Sequence, residues 1–204
     1  MSKLYEFIHA AEKLKNELRH SYTSANRRES VAEHSWRLCL MVLVLGAKVT
    51  ELDLNRCLKM ALVHDLPEIF EGDSYRLDLD RQIGKHERET AALEKLIRLI
   101  PADTGKEIRE LWLEFEEGKT ADARFVRLID RLEVLIQHNE AGTDTWAELE
   151  KRLHWGLAAK HAAKYGFLAD FAAEIDEEAR IKLINAGNEP HAIEQSEYLK
   201  YYGG

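Results

Sequence analysis

In the segment "KMALVHDLPEIFEGD", Lys59 to Asp73, an apolar helical pattern runs straight into a histidine and an aspartate side by side. Burying a polar group without a partner costs on the order of 2–7 kcal/mol, and a charge costs more, so His64 and Asp65 need something to satisfy them. Two other apolar stretches are interrupted in the same way. His34 comes one turn into a second helical pattern, just ahead of "LCLMVLVL", and Asp130 sits in "VRLIDRLEVLI" in register with Val126 and Val134, so it points with them toward a core. A divalent metal ion would satisfy all four residues at once, because neutral imidazole and carboxylate are its ordinary ligands. Taken singly, each has a plainer explanation: a core histidine bonded to a backbone carbonyl, or Asp130 paired with Arg124 or Arg127. The adjacent pair weighs toward the metal, since one ion accounts for both members. Glu68 follows His64 by one helical turn, so any helical continuation past Pro67 brings it to the same side; otherwise it is a solvated carboxylate at a helix end.

The elements that must position these groups read as helices. Nearly every segment has helical period and no run alternates long enough to make a strand, so the expected class is all-α, a single helical bundle with additional C-terminal helices. Leu4, Phe7, Ile8, Ala11, Leu14 and Leu18 form one stripe of a first helix, which ends near Arg19. After a polar loop, Ser30 and Glu33 make the S-x-x-E capping box of a second helix. A third begins near Asn55, and Pro67, which has no N–H to give, kinks or ends it just past His64 and Asp65. Further helices are expected over Asp80–Ile100, Gly105–Glu117, a stretch capped by Thr120, Asp144–Tyr165 and Phe167–Ala186, before a polar, tyrosine-rich tail. With three prolines and no Gly/Ser tract, residues 1–204 read as one domain, its motif-bearing core over about 4–142 and a helical extension over about 143–204.

Composition narrows the function classes. With 45% hydrophobic and 32% charged residues, neither disorder nor a membrane span is suggested, and the longest apolar run, "LCLMVLVLGA", is too short to cross a bilayer. The N-terminus lacks the sectors of a signal peptide, so a cytoplasmic protein is expected. A net charge of −8 disfavours a nucleic-acid polymer as partner, whereas a small phosphorylated ligand needs only a few local cations. Cys39 and Cys57 stand alone in apolar stretches and read as packing residues. His9, His138, His154, His161 and His191 match no ligand position and read as surface or partly buried groups.

The order His34, His64-Asp65, Asp130 resembles the H…HD…D signature of the HD-domain metal-dependent phosphohydrolases. More closely, "RRESVAEHSW", "ALVHDLPEIFEGD" and "ARFVRLIDRLE" resemble the bacterial 5′-deoxynucleotidases and their eukaryotic HD-domain-containing relatives, over roughly Leu4 to Gly142. The resemblance implies an HD-domain bundle and a phosphohydrolase acting on nucleoside 5′-monophosphates, deoxynucleotides above all. Other enzymatic readings are another phosphorylated metabolite or a signalling nucleotide. A metal-holding module without turnover is the third reading, against which the presence of Glu68 and Asp73 argues.

By the same resemblance, His34, His64, Asp65 and Asp130 are the metal ligands, Glu68 belongs to the proton-transfer machinery and Asp73 is a second catalytic carboxylate. Arg19 and Arg27 match substrate-contacting arginines, suited to a phosphate monoester by their bidentate guanidinium. The characterised bacterial enzymes follow the first arginine with tryptophan, which packs on the deoxyribose; His20 stands there in this chain. Weaker discrimination between deoxyribose and ribose is therefore expected. One divalent ion is expected, manganese, cobalt, nickel, iron or zinc rather than magnesium, because only His86 lies between Asp65 and Asp130 to extend the set. Relatives are commonly homodimers, and the same is expected here.

Overall fold

Side-chain periodicity produces helices along nearly the whole chain, and the computed structural model, which describes Ser2–Tyr202, departs from that rule at one place that bears on the site. Helix α1, Lys3–Ala11, gives way to a 3-10 turn at Glu12–Lys15 and then to an extended strand β1, Leu18–Tyr22, paired with β2, Arg28–Ser30. The expected first helix through Leu18 is therefore wrong in its second half. Leu4 and Ile8 are 55% and 58% exposed, so the stripe that suggested a long helix is not a core stripe. The turn supplies the reason for the strands: Asn26 takes a positive φ of 57°, Asn26 N–H donates to the Thr23 carbonyl (2.9 Å) and Thr23 N–H donates to the Arg27 carbonyl (2.7 Å). Arg19 accordingly stands on a strand, not at a helix end.

The chain's contacts fall into two compact units, Met1–His20 with Glu29–Asp130, and Ser21–Arg28 with Arg131–Gly204. In the first, α2 (Val31–Gly46) opens on the expected capping box, Ser30 Oγ accepting from Glu33 N–H and Glu33 Oε2 accepting from Ser30 N–H. Helix α3 (Leu54–Val63) is capped by Asp53 and stops with His64, and α4 (Glu68–Glu71) resumes immediately after Pro67. The single helix expected over Asp80–Ile100 is two: α5 (Leu79–Gln82) and α6 (Lys85–Ile97), separated at Gly84, whose left-handed φ of 66° favours glycine. Helices α7 (Ala102–Glu117) and α8 (Ala121–Glu140) follow, with Thr120 Oγ1 accepting from Ala123 N–H at the start of α8. Leu38 and Val42 of α2, Met60 of α3, Leu93 and Leu96 of α6, Trp112 of α7 and Phe125 and Ile129 of α8 are all but inaccessible to solvent. They form the packed interior against which the polar groups of α2, α3 and α8 are held.

In the second unit the helix expected over Asp144–Tyr165 is broken into a 3-10 turn at Thr143–Thr145, α9 (Glu148–Leu153) and α10 (Leu157–Ala162), followed by α11 (Ala169–Asn185); the tail is itself helical, α12 (Gln195–Tyr202). Asp176 of α11 explains the break. Its carboxylate accepts from the N–H groups of Gly156, Ala158 and Ala159, satisfying donors that a continuous helix would have bonded internally. Among the described residues no helix is long and apolar enough to cross a membrane.

Three histidines expected at or near the surface are buried in this unit: His138, His154 and His161. His154 Nε2 lies 3.1 Å from Asn139 Oδ1, and Asn139 Nδ2 donates to the Ile175 carbonyl. Trp146 donates from Nε1 to the His138 carbonyl, so aromatic rings with polar atoms share this interior with aliphatic side chains. Burial, helped by the nearby His138, pulls His154 down from 6.5 to about 3. In the unfolded chain His154 takes a proton below about pH 6.5, while the native state refuses it until about pH 3. Stability from this residue is thus complete above pH 6.5 and is lost as the pH falls through that window, by at most about 1.4 kcal/mol per pH unit. Denaturant midpoints measured from pH 7 to pH 4 should fall more steeply for the native sequence than for His154→Gln; parallel curves would show that His154 does not set the acid limb.

Candidate metal centre

The residues singled out by the interrupted apolar patterns meet in the first unit. His34 Nε2 lies 3.1 Å from Asp130 Oδ1 and 3.9 Å from Asp65 Oδ2, and His64 Nε2 lies 3.0 Å from Asp65 Oδ2. Ligand atoms of His34, His64 and Asp130 all fall within 4.8 Å of one another. Each is placed by a local device. The capping box holds the first turn of α2 and with it His34, the end of α3 presents His64 and Asp65, and the continuous turn register of α8 turns Asp130 inward. Arg124 and Arg127 bond the carbonyls of Lys119, Phe115 and Glu116, so neither is recruited to Asp130.

The arrangement fits a divalent cation for a chemical reason. His64 donates from Nδ1 to the Ala61 carbonyl (2.9 Å), which aims Nε2 into the cluster. Nε2 lies 3.0 Å from the Asp65 carboxylate oxygen, so nitrogen and oxygen, the donor set of such an ion, are presented side by side. Burial works to raise Asp65 and Asp130, yet the imidazoles beside them, with Arg19 in the case of Asp65, hold both well below the usual carboxylate range. Both are anions at neutral pH. The histidine side chains are almost fully closed off, whereas those of Asp65 and Asp130 are 17% and 26% exposed, so the open side of the cluster is lined by oxygen.

Glu68 and Asp73 lie beside the cluster. Glu68 begins α4 and is buried, and its Oε2 has no hydrogen-bond partner. Burial first, and then the charges of Asp65 and Asp73, push it well above the ordinary carboxylate range against the pull of Arg19 and Lys85. Asp73 is also raised by burial, with Arg19 opposing. The backbone reaches Asp73 through Gly72, at a φ of 75°, and Glu17 Oε1 accepts from Asp73 N–H (3.0 Å), which pins the loop to the segment before β1.

Arg19 stands among carboxylates. Its Nε is 3.4 Å from Glu29 Oε2, and its Nη1 is 3.4 Å from Asp65 Oδ2 and 3.8 Å from Asp73 Oδ1. Glu29, 2% exposed, went unnoticed in the sequence because it precedes the capping serine in a polar run with no periodic signal. His20 stacks on Tyr75, ring centroids 4.1 Å apart. Arg27 lies in the other compact unit, exposed on the hairpin turn, where its Nη1 donates to the Arg28 carbonyl. His86 is exposed and stacks on Trp112, away from the ligand atoms gathered above.

The sequence profile of the family described as HD domain matches residues 11–175. The chain is similar to 5′-deoxynucleotidase HDDC2 of Homo sapiens, at 32% identity over 84% of this chain and 82% of that protein. Similarity to 5′-deoxynucleotidase hdd1 of Schizosaccharomyces pombe is 30% over 75% of this chain and 79% of that one. Among solved structures, one described as a predicted metal-dependent phosphohydrolase from Magnetospirillum magnetotacticum superposes with a TM-score of 0.71 at 31% identity, covering 88% of this chain and 95% of that one.

Proposed function

The chain belongs to the HD domain family, and from that premise we propose that it is a metal-dependent phosphohydrolase that releases phosphate from nucleoside 5′-monophosphates, deoxynucleotides in particular. One observation carries the reading: imidazole nitrogen and carboxylate oxygen face each other inside the His34, His64, Asp65 and Asp130 cluster, with the buried Glu68 carboxyl group beside it. The names of the relatives support the substrate class.

In this reading the four residues hold one divalent ion, manganese, cobalt, nickel, iron or zinc, chosen by the mixed nitrogen and oxygen set. When bound, such an ion withdraws charge from the phosphoryl oxygens and lowers the pKa of water. Arg19 binds the phosphate through its guanidinium, which Glu29 and Asp73 hold from two sides. Glu68 Oε2, with no other bond to make, takes the proton of the attacking water, and Asp73 serves the departing 5′ oxygen. The enzyme acts as one HD domain in the cytoplasm, where nucleotides are made, and as a homodimer. Trp36, Leu40, Leu43 and Val44 support the last point, since they leave an exposed apolar stripe at helical spacing on α2, the kind of face that a second copy covers.

A screen of phosphate release over nucleotides, sugar phosphates and signalling nucleotides, with several divalent metals, should single out the 5′-monophosphates; turnover confined to another phosphate class would overturn the substrate assignment. Glu68→Gln should keep about one metal ion per chain by elemental analysis and lose turnover by about a hundredfold to ten-thousandfold. Asp130→Ala should lose metal and turnover together. A Glu68→Gln protein with near-normal rate and metal in place would remove Glu68 from the mechanism. At the sugar, His20→Trp should raise the ratio of dAMP to AMP turnover, by up to about a hundredfold, which is what an apolar wall achieves against an added hydroxyl. A strong deoxy preference that the substitution leaves unchanged would mean that another residue reads the sugar.

A further inference from the structure

Arg19 is surrounded by carboxyl groups, and a phosphate monoester adds about two more negative charges at neutral pH to a centre that already holds the Asp65 and Asp130 anions. A further cation stands close by. Helix α6 packs on α4, the short helix that carries Glu68, and the first residue of α6 is Lys85. Lys85 and Glu89 share the wall of a 370 Å³ cavity with Gly72 and Ser74, the residues on either side of Asp73. The Lys85 side chain is one-third exposed into this space, while its Nζ is tethered 3.3 Å from Oε1 of the buried Glu89. The other cations on the wall are differently engaged. Arg88 donates to the carbonyls of Ile83 and Arg81 and lies 3.4 Å from Glu71, and Arg81 is exposed at the outer edge of the α5 turn.

The geometry points to Lys85 as a second phosphate-binding residue of this centre, held by Glu89 on the cavity wall and contributing a point charge where Arg19 contributes a planar fork. Its ligand class is a phosphate monoester dianion, and equally the inorganic phosphate that leaves. The inference rests on the phosphohydrolase reading but adds a residue to it. One electrostatic fact agrees with the geometry. Burial pushes Glu89 up to about 7 against the pull of Lys85, so the residue that tethers the ammonium is not a full anion at neutral pH and leaves part of that charge for a ligand. Sequence reading passed over Lys85 because "GKHERE" looks like a solvated charge run.

Titration of inorganic phosphate into manganese-loaded protein by calorimetry tests this without turnover. Lys85→Met should weaken phosphate binding by about tenfold or more, the size of one lost charge-assisted contact, with manganese content unchanged. Lys85→Gln should do the same and serves if the methionine variant folds poorly; Lys85→Arg should stay within about threefold of the native affinity. Arg81→Gln, on the same wall, should change little. In kinetics, KM for a nucleoside monophosphate should rise in step with the phosphate dissociation constant. Native phosphate affinity in both neutral variants overturns the inference, as does an equal loss in Arg81→Gln, which would reveal diffuse attraction rather than a contact. Failure of the hydrolase reading shows separately, as a native protein that releases no phosphate from any nucleotide, while the calorimetric comparison still judges Lys85.

Discussion

Two imidazole nitrogens and two carboxylates, delivered by three helices, stand within 4 Å of one another in pairs, the histidines closed off and the carboxylates partly exposed. Two carboxylates held this close to one another need positive charge among them, and the Nδ1 bond of His64 to the Ala61 carbonyl fixes which ring nitrogen faces them. This one requirement organises the first unit. It needs α2 to begin at a fixed residue, which the Ser30–Glu33 capping box provides, and α3 to stop where it does, which Pro67 helps to provide. It also needs an aspartate in the middle of α8 that no arginine neutralises, and the nearby guanidinium groups are bonded to main-chain carbonyls instead.

Around that cluster the charges are graded. Asp65 and Asp130 are held anionic by their neighbours, whereas Glu68, Asp73 and Glu89 are pushed upward by burial. Pairs of carboxyl groups whose surroundings drive them apart are what acid–base chemistry near neutrality requires. The gradation has a structural origin: the first two face imidazoles, whereas for the others burial outweighs the pull of Arg19 and Lys85.

Much of the centre was legible in the sequence, because a polar residue that interrupts an apolar helical face is conspicuous. His34, His64, Asp65 and Asp130 all announced themselves in this way, and the capping box and the Thr120 cap were read from short-range chemistry. What the sequence hid had specific causes. The Leu4 to Leu18 spacing imitated a helix because leucines at a helix interval carry no information about whether a core lies beneath them; the turn at Asn26 was the countervailing signal. The split at Gly84 and the breaks before α10 depend on one left-handed residue and on a distant aspartate, Asp176, neither of which alters hydrophobic periodicity. Glu29, Lys85 and Glu89 lie in polar runs, where a buried charge and a solvated one look alike until the partners are placed.

Strand β1 has a consequence of its own. Side chains of successive residues on an extended chain leave from opposite faces, so Arg19, among its carboxylates, and His20, stacked on Tyr75, address different surroundings although they are adjacent in sequence. Had this segment been helical, the two positions would have diverged by only about a third of a turn, and a change at one would have crowded the other. As it stands, a substitution at position 20 bears first on the Tyr75 ring and leaves the carboxylates around Arg19 in place.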